Sequence, residues 1–550
     1  MPKPNLLFLL SDEHSYRFLS ALKNDPVGEE VETPNLDRLI AGGTHFTDAY
    51  CQMPLCTPSR ISLLTGLLPQ ACGAWSNESV LRPELPTIGS VFRDAGYKTA
   101  LIGKMHLGGR AQFAGFQERP YGDLTGKTGH QWEPIDDADR HGMRARTAKA
   151  GVSGIPESLL QEQITAQETV AWIREQEAAD KPWFALASFS RPHFPLTAPK
   201  RWIDYYRRRG ISKPKFGPGG DAFDHPMSAA MRKGFRADEI DHDEMMEARL
   251  GYFACVSYLD EVIGDLIMRL DASGSLDNTV IVYTTDHGEM AGEHGVWWKN
   301  GWYEACTRVP LVISTPEQRR TVRQGAGGAG ANAPGGPAQR CSTPVGLIDL
   351  LPTLCRLCNV QVPAHFDGRD ISPALTGGSL EEVPVTIDAL VPRWGPGTEF
   401  RAVRQGRFKY VRFRNAEPLA FDVVEDPGER RNLLSRVDRA AARPAAVGDG
   451  KADPGTTAGG GDTGSVPPDA AKLDALRAYA ESGIDFDRCE KDRLERDGGL
   501  KDEYALDLPE ASGNLYIFPS GDLVDADNPM LYKRTVVARS AEEAFTREPL

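Results

Sequence analysis

Five short runs of nearly uninterrupted apolar residues, with helical patterns between them, constrain this chain more than any other feature. They are residues 5–10 (NLLFLL), 98–102 (KTALI), 183–189 (WFALASF), 279–284 (TVIVYT) and 309–313 (VPLVI). A strand with one wet face alternates apolar and polar residues, so runs without alternation predict strands covered on both faces. Residues 86–95 end at Gly96, a glycine helix stop just ahead of the 98–102 strand. Residues 239–270 place Tyr252, Cys255, Leu259, Val262, Ile263 and Leu266 on one face at three- and four-residue spacing. The alternation predicts an α/β sandwich, a mainly parallel central sheet between helices, with ligands at the carboxyl ends of its strands.

Beyond these strands the pattern changes. Residues 324–339 (QGAGGAGANAPGGPAQ) read as a Gly-rich surface insertion, and 436–468, rich in Gly, Ala, Pro and Asp, as a flexible linker. Between them, 400–413 (FRAVRQGRFKYVRF) and 418–421 (PLAF) read as short strands before the turn Asp426-Pro427-Gly428. They predict a small antiparallel C-terminal subdomain over 381–435. Residues 469–550 mix a charged helical stretch with 514–524 (NLYIFPSGDLV), a candidate hairpin.

Charge and cysteine usage exclude several functions. With 63 basic against 77 acidic residues the net charge is −14, which disfavours nucleic acid and anionic membrane surfaces. No apolar run approaches the ~20 residues of a bilayer span, and the run before Ser11-Asp12 is too short for a secretory signal core. Nine scattered cysteines frame no disulfide scaffold. The expectation is a reduced, cytoplasmic enzyme. Gly122–Thr128 is one residue short of a phosphate-binding loop and follows no strand, Cys355 and Cys358 lie within a helical pattern, and Asn77-Glu78-Ser79 is an idle glycosylation sequence.

The sharpest local feature is Cys56-Thr57-Pro58-Ser59-Arg60. Proline is tolerated in a first helical turn, so a helix is expected to start near Pro58, with Cys56 at its N-terminus where free N–H groups favour an anion. Other chemistry-bearing residues follow apolar strands directly: Asp12, Lys104 and His106, His193, then Asp286 and His287. A sheet with its ligands at the strand ends gathers all of them at one edge.

This set resembles the sulfatase family. Cys56-Thr57-Pro58-Ser59-Arg60, with Thr65-Gly66 downstream, is similar to the family signature; Gly103–Gly108 (GKMHLG), Pro192–Pro195 (PHFP), Thr285–Gly288 (TDHG) and Trp297–Lys299 follow in the family's order. Asp349–Leu354 and Asp426–Glu429 extend the resemblance to residues 5–434. It implies an alkaline-phosphatase-like sandwich with a catalytic domain over 1–380. It implies that a formylglycine-generating maturation enzyme converts Cys56 to formylglycine, whose hydrate is the nucleophile, and that one divalent ion lies against Asp12, Glu13, Cys56, Asp286 and His287. The ion is Ca²⁺ by family, with Mn²⁺ also compatible with an imidazole ligand. By the same resemblance Arg60 and Lys104 orient the hydrate and the sulfate, His193 and Lys299 assist the leaving oxygen, and His106 removes a proton when sulfate departs.

Two positions depart from the common pattern. Glu13 stands where an aspartate or glutamine is usual, which puts its place among the ligands in doubt, and His287 stands where asparagine is common. The expected substrate is a small sulfate monoester: choline, aryl or sugar sulfate. The indoles of Trp75, Trp297, Trp298 and Trp302 are open to either a core or a wall role. A phosphonate or phosphodiester hydrolase of the same superfamily, or a non-catalytic relic, are the competing functions. The resemblance also implies a homo-oligomer, with 469–550 as its candidate interface.

Overall fold

The computed structural model describes residues 3–77, 79–107, 111–122, 147, 150–177, 179, 181–325, 339–390, 398–434, 468–503, 515–517 and 523–525. The Gly-rich insertion and the linker fall almost wholly outside these residues, as do Gly108 and all but Gly122 of the phosphate-loop-like stretch.

The five apolar runs form the centre of one large sheet. In chain order its strands are β1 (Asn5–Asp12), β2 (Thr44–Tyr50), β3 (Lys98–Gly103), β4 (Glu118–Tyr121), β6 (Trp183–Pro192), β8 (Thr279–Thr285), β9 (Arg308–Ser314), β10 (Gln339–Cys341) and β11 (Val345–Gly346). The spatial order is β10-β2-β9-β8-β1-β6-β3-β4, with β11 also on β2. A separate short parallel pair joins β5 (Gly151–Val152) to β7 (Thr197–Ala198).

β1 pairs in parallel with β6 and β8, and β3 in parallel with β6 and β4. Only β9 runs against its neighbours, β8 and β2. A buried strand is apolar throughout in either direction, so its sequence carries no mark of this reversal.

Successive side chains of β1 point to opposite faces and enter opposite cores. Leu6, Phe8 and Leu10 pack with Leu101, Phe184 and Leu351, whereas Leu7 and Leu9 pack with Ile102, Tyr258 and Leu266. Each fully buried side chain of this size contributes roughly 1.5–3 kcal/mol, which makes these runs the anchor of the fold. The long helix His242–Ala272 covers the second face, its N-terminus capped by the Asp241 carboxylate on the Glu244 N–H. The helix before β3 is Ile88–Asp94; Thr87 and Ser90 cap it reciprocally, and Gly96 follows at φ +90°. Cys355 and Cys358 are buried core residues, and all nine cysteines are free.

The second sheet is antiparallel, in the order β12 (Val385–Ala389), β13 (Phe400–Gln405), β14 (Phe408–Phe413), β15 (Leu419–Asp422). The chain then returns to it. In helix Pro468–Ser482, Leu476 and Ala480 pack on Val403, Phe408 and Tyr410. Ile484, Phe486 and Cys489, at the start of the next helix (Phe486–Glu503), pack on Met53, Leu55, Trp75 and Leu390. Within the expected hairpin, β16 (Leu515–Ile517) pairs antiparallel with β17 (Leu523–Asp525). Among the described residues no helix is long and apolar enough to cross a membrane.

Candidate active site

Parallel strands end at the same edge, so β1, β3, β6 and β8 deliver their following residues to one place. β1 ends on Asp12; Glu13 follows at φ +65°. β8 is followed by Asp286 and His287, and β6 by His193. β3 ends on Gly103 at φ +94°, where a Cβ would meet the Ser188 carbonyl at 2.0 Å, so only glycine lets the chain turn into Lys104 and His106.

The helix carrying the cysteine runs Cys56–Thr65, with Leu55 as its extended N-cap. It starts two residues before the expected point. Cys56 is its first residue and Pro58 its third, because the first turn needs no N–H from any of them. Three hydrogen bonds seat this turn: the Thr57 N–H donates to Asn77 Oδ1 at 3.2 Å, Thr57 Oγ1 donates to the His106 carbonyl at 2.7 Å, and Ser59 Oγ donates to the Asp286 carbonyl. His106 is buried at φ +57°.

Arg60 is fully buried and braces two carboxylates. Its Nη2 is 2.8 Å from Asp12 Oδ2 and its Nε 2.8 Å from Asp286 Oδ2. Its Nη1 donates to the Lys104 carbonyl at 2.8 Å and to Ser188 Oγ at 3.0 Å. These contacts give it a positioning geometry in place of the expected contact with sulfate oxygens. Lys104 Nζ lies 3.2 Å from Asp12 Oδ2. Burial alone would raise Asp12, but Lys104, His193, Arg60 and His287 outweigh it and hold the carboxyl well below its usual range.

Ligand atoms of Asp12, Cys56, Asp286 and His287 all lie within 4.8 Å of one another. Cys56 Sγ is 3.2 Å from His287 Nε2, and His287 Nδ1 is 3.0 Å from the Gly288 carbonyl. That carbonyl fixes the proton on Nδ1 and leaves the Nε2 lone pair facing the cluster. Asp12 Oδ1 is buried without a hydrogen-bond partner among the described residues. Two carboxylates, an imidazole nitrogen and an unsatisfied oxygen suit a divalent cation, so the residues fit the expected ion. Burial pushes the Cys56 thiol up to about 12.

Glu13 belongs to a second group, with Asp12 and His193. Its Oε2 is 2.7 Å from Lys299 Nζ and 3.3 Å from His193 Nε2. Burial raises Glu13 to about 8 against the pull of Lys299, with Glu289 adding to the rise. Burial would lower Lys299, but Cys56, Glu13 and Asp12 keep it above its usual value. His193 stacks on Phe194 at 4.1 Å, and Lys299 Nζ lies 5.6 Å from the same ring.

All the expected residues therefore meet at one edge. Sequence reasoning missed Asn77, read only as part of a glycosylation sequence, and Glu289, whose position directly after Asp286-His287-Gly288 was the available signal. Of the tryptophans, Trp75, Trp297 and Trp302 are core residues, and Trp298 packs beside Phe194 and Phe235. His14, bonded to Tyr283 and the Phe18 carbonyl, and His294, stacked on Tyr303, have structural partners.

The family model described as Sulfatase matches residues 4–360. A choline-sulfatase of Rhizobium meliloti is 30% identical over 452 residues, covering 78% of this chain and 82% of that one. An arylsulfatase of Clostridium perfringens is 26% identical over 470 residues, covering 79% and 90%. Among solved structures, a phosphonate monoester hydrolase of Agrobacterium radiobacter superposes with a TM-score of 0.65 at 23% identity, covering 87% of this chain and 96% of that one. At that identity the likeness establishes the α/β fold with its smaller C-terminal sheet.

Proposed function

This chain belongs to the sulfatase family of sulfuric ester hydrolases, and from that premise we propose that it cleaves a small organic sulfate monoester to an alcohol and sulfate, with Cys56, converted to formylglycine, at the reacting centre. The observation that carries the proposal is Cys56 at the start of a helix, its Sγ inside a cluster of two carboxylates and an imidazole, with Lys104, Lys299 and His193 beside them.

Asp12, Asp286, His287 and the side chain at 56 would hold the divalent ion, which supplies positive charge against the sulfate oxygens. As formylglycine, position 56 supplies a hydrate oxygen that attacks sulfur. The protein's own groups do the rest. Arg60 fixes the spacing of Asp12 and Asp286. Lys104 and Lys299 set fixed positive charge around the reacting group, overcoming the net −14 of the chain. When the S–O bond to the alcohol breaks, its electron pair stays on the leaving oxygen, and His193 or Lys299 delivers the proton. His106 accepts the proton released when sulfate departs.

A small ester is supported by burial, since Cys56, Lys104, His106, His193 and Lys299 are each no more than 6% exposed. The choline-sulfatase relative points the same way. The test is a panel of choline sulfate, 4-nitrophenyl sulfate, a sugar sulfate, a phosphodiester and a phosphonate monoester. A sulfate monoester is expected to lead in kcat/KM by about tenfold or more. A phosphodiester or phosphonate in the lead would replace this reading with a phosphonate hydrolase.

A further inference from the structure

We propose that Glu13 is a positioning residue for Lys299 and His193 and lies outside the set of side chains that would hold the ion. The proposal rests on the sulfate-ester reading of the site.

Two adjacent carboxylates at the end of β1 could both face one ion. Here the backbone sends them apart. Glu13 takes the left-handed conformation at φ +65°, unusual for a residue with a Cβ. Both of its backbone polar groups are pinned: its N–H donates to Asp286 Oδ1 at 3.0 Å, and its carbonyl accepts from the Tyr252 hydroxyl at 2.7 Å. Strain of this kind persists only where the surroundings over-determine it.

As a result Asp12 points into the group with Cys56, Asp286 and His287, while Glu13 shares a ligand-sized group only with Asp12 and His193. Its Oε2 instead lies 2.7 Å from Lys299 Nζ and 3.3 Å from His193 Nε2. One carboxylate oxygen therefore touches both groups that face the leaving oxygen.

The loop carrying Lys299 is fixed from the other side. Trp298 and Asn300, which flank the lysine, have φ +74° and +68°. Glu289 Oε1 accepts the N–H groups of Ala291 and Trp298, and Asn300 N–H donates to the Pro54 carbonyl at 2.9 Å. The backbone is thus held, but a lysine stem keeps four rotatable bonds. Glu13 restricts that freedom at the ammonium, so the group that meets the leaving oxygen is in place before substrate arrives. As the S–O bond breaks, the pair left on oxygen takes a proton from Lys299 or His193, and Glu13 neither gains nor loses one.

The test uses the full, matured chain with Glu13→Ala, Lys299→Ala and both together. It reads Ca²⁺ content by mass spectrometry, and kcat on an alkyl sulfate and on 4-nitrophenyl sulfate. Expected for Glu13→Ala is wild-type Ca²⁺ content, with kcat about tenfold lower on the alkyl ester and much less affected on the nitrophenyl ester, whose oxygen leaves without help. The double variant should be no slower than Lys299→Ala alone. Lost Ca²⁺ with equal slowing on both esters would make Glu13 a metal ligand and overturn the proposal, as would fully multiplying effects in the double variant. If the alanine variant fails to fold, Glu13→Gln carries the same comparison. A wild-type chain inactive on every sulfate ester would instead sink the underlying reading.

Discussion

Two clusters of buried charge lie on either side of the β8–β9 connection, and they differ in how completely their atoms are paired. Where the small sheet meets the large one, Lys409 Nζ is bonded to Glu304 at 3.0 Å, to Glu429 at 2.7 Å and to the Trp302 carbonyl. The other Glu304 oxygen accepts from the Tyr50 hydroxyl, which accepts from Arg404, and the other Glu429 oxygen accepts the Glu304 N–H. None of these groups is left with an unsatisfied polar atom. At the strand-end cluster the charges are as deeply buried, yet Asp12 Oδ1 and Glu13 Oε1 find no donor among the described residues. Leaving such atoms unpaired costs about 1–3 kcal/mol or more each. A fully paired cluster fastens two parts of a fold; a cluster short of donors is built to receive something.

The sharpest test of that contrast is to remove one central group from each cluster. Cys56→Ala should lower kcat by about a thousandfold or more, with little change in thermal stability. Residual activity within tenfold of wild type would break the comparison. Chelation probes the missing donors next. Stripping divalent ions should abolish turnover and lower stability, and Ca²⁺ at a hundred times its Kd should restore about 2.7 kcal/mol, measured by denaturant titration. Lys409→Met is the opposite case. It strands Glu304 and Glu429 in the interior and should destabilise by about 3–5 kcal/mol, while the folded fraction turns over as before. A variant as stable as wild type would show that the seam holds nothing.

The smallest effect concerns acid. His45 on β2 is pushed down to about 4 by burial and by the nearby Arg340 and Arg308. Below the ordinary 6.5 the unfolded chain takes up a proton that the folded one refuses, so stability is lost as pH falls from 6.5 towards 4. At roughly 1.4 kcal/mol per pH unit, His45 accounts for about 2 kcal/mol between pH 6.5 and 5. His45→Asn should flatten the pH dependence of unfolding by that amount; an unchanged slope would refute the assignment.

The strands were legible because burial on both faces leaves an apolar run, and the site residues because each follows such a run. Other features carry no local mark. The reversal of β9 leaves its composition unchanged. The helix start at Cys56 lies in a first turn where proline is no boundary. Asn77 touches the Cys56 turn through a fold-dependent contact. The contact between Glu13 and Lys299 joins residues far apart in the chain, brought together only by the meeting of β1 with the loop after β8. The return of residues 468–490 onto the small sheet depends on a few apolar side chains, Leu476, Ala480 and Phe486, within an otherwise charged stretch.

The central claim is that position 56 is the reacting centre of a sulfate ester hydrolase. The most direct measurement is the mass of the peptide spanning Cys56, from protein made in cells that contain a formylglycine-generating enzyme. The account predicts the mass change that follows when CH₂SH becomes CHO. An unmodified thiol throughout an active preparation would contradict it.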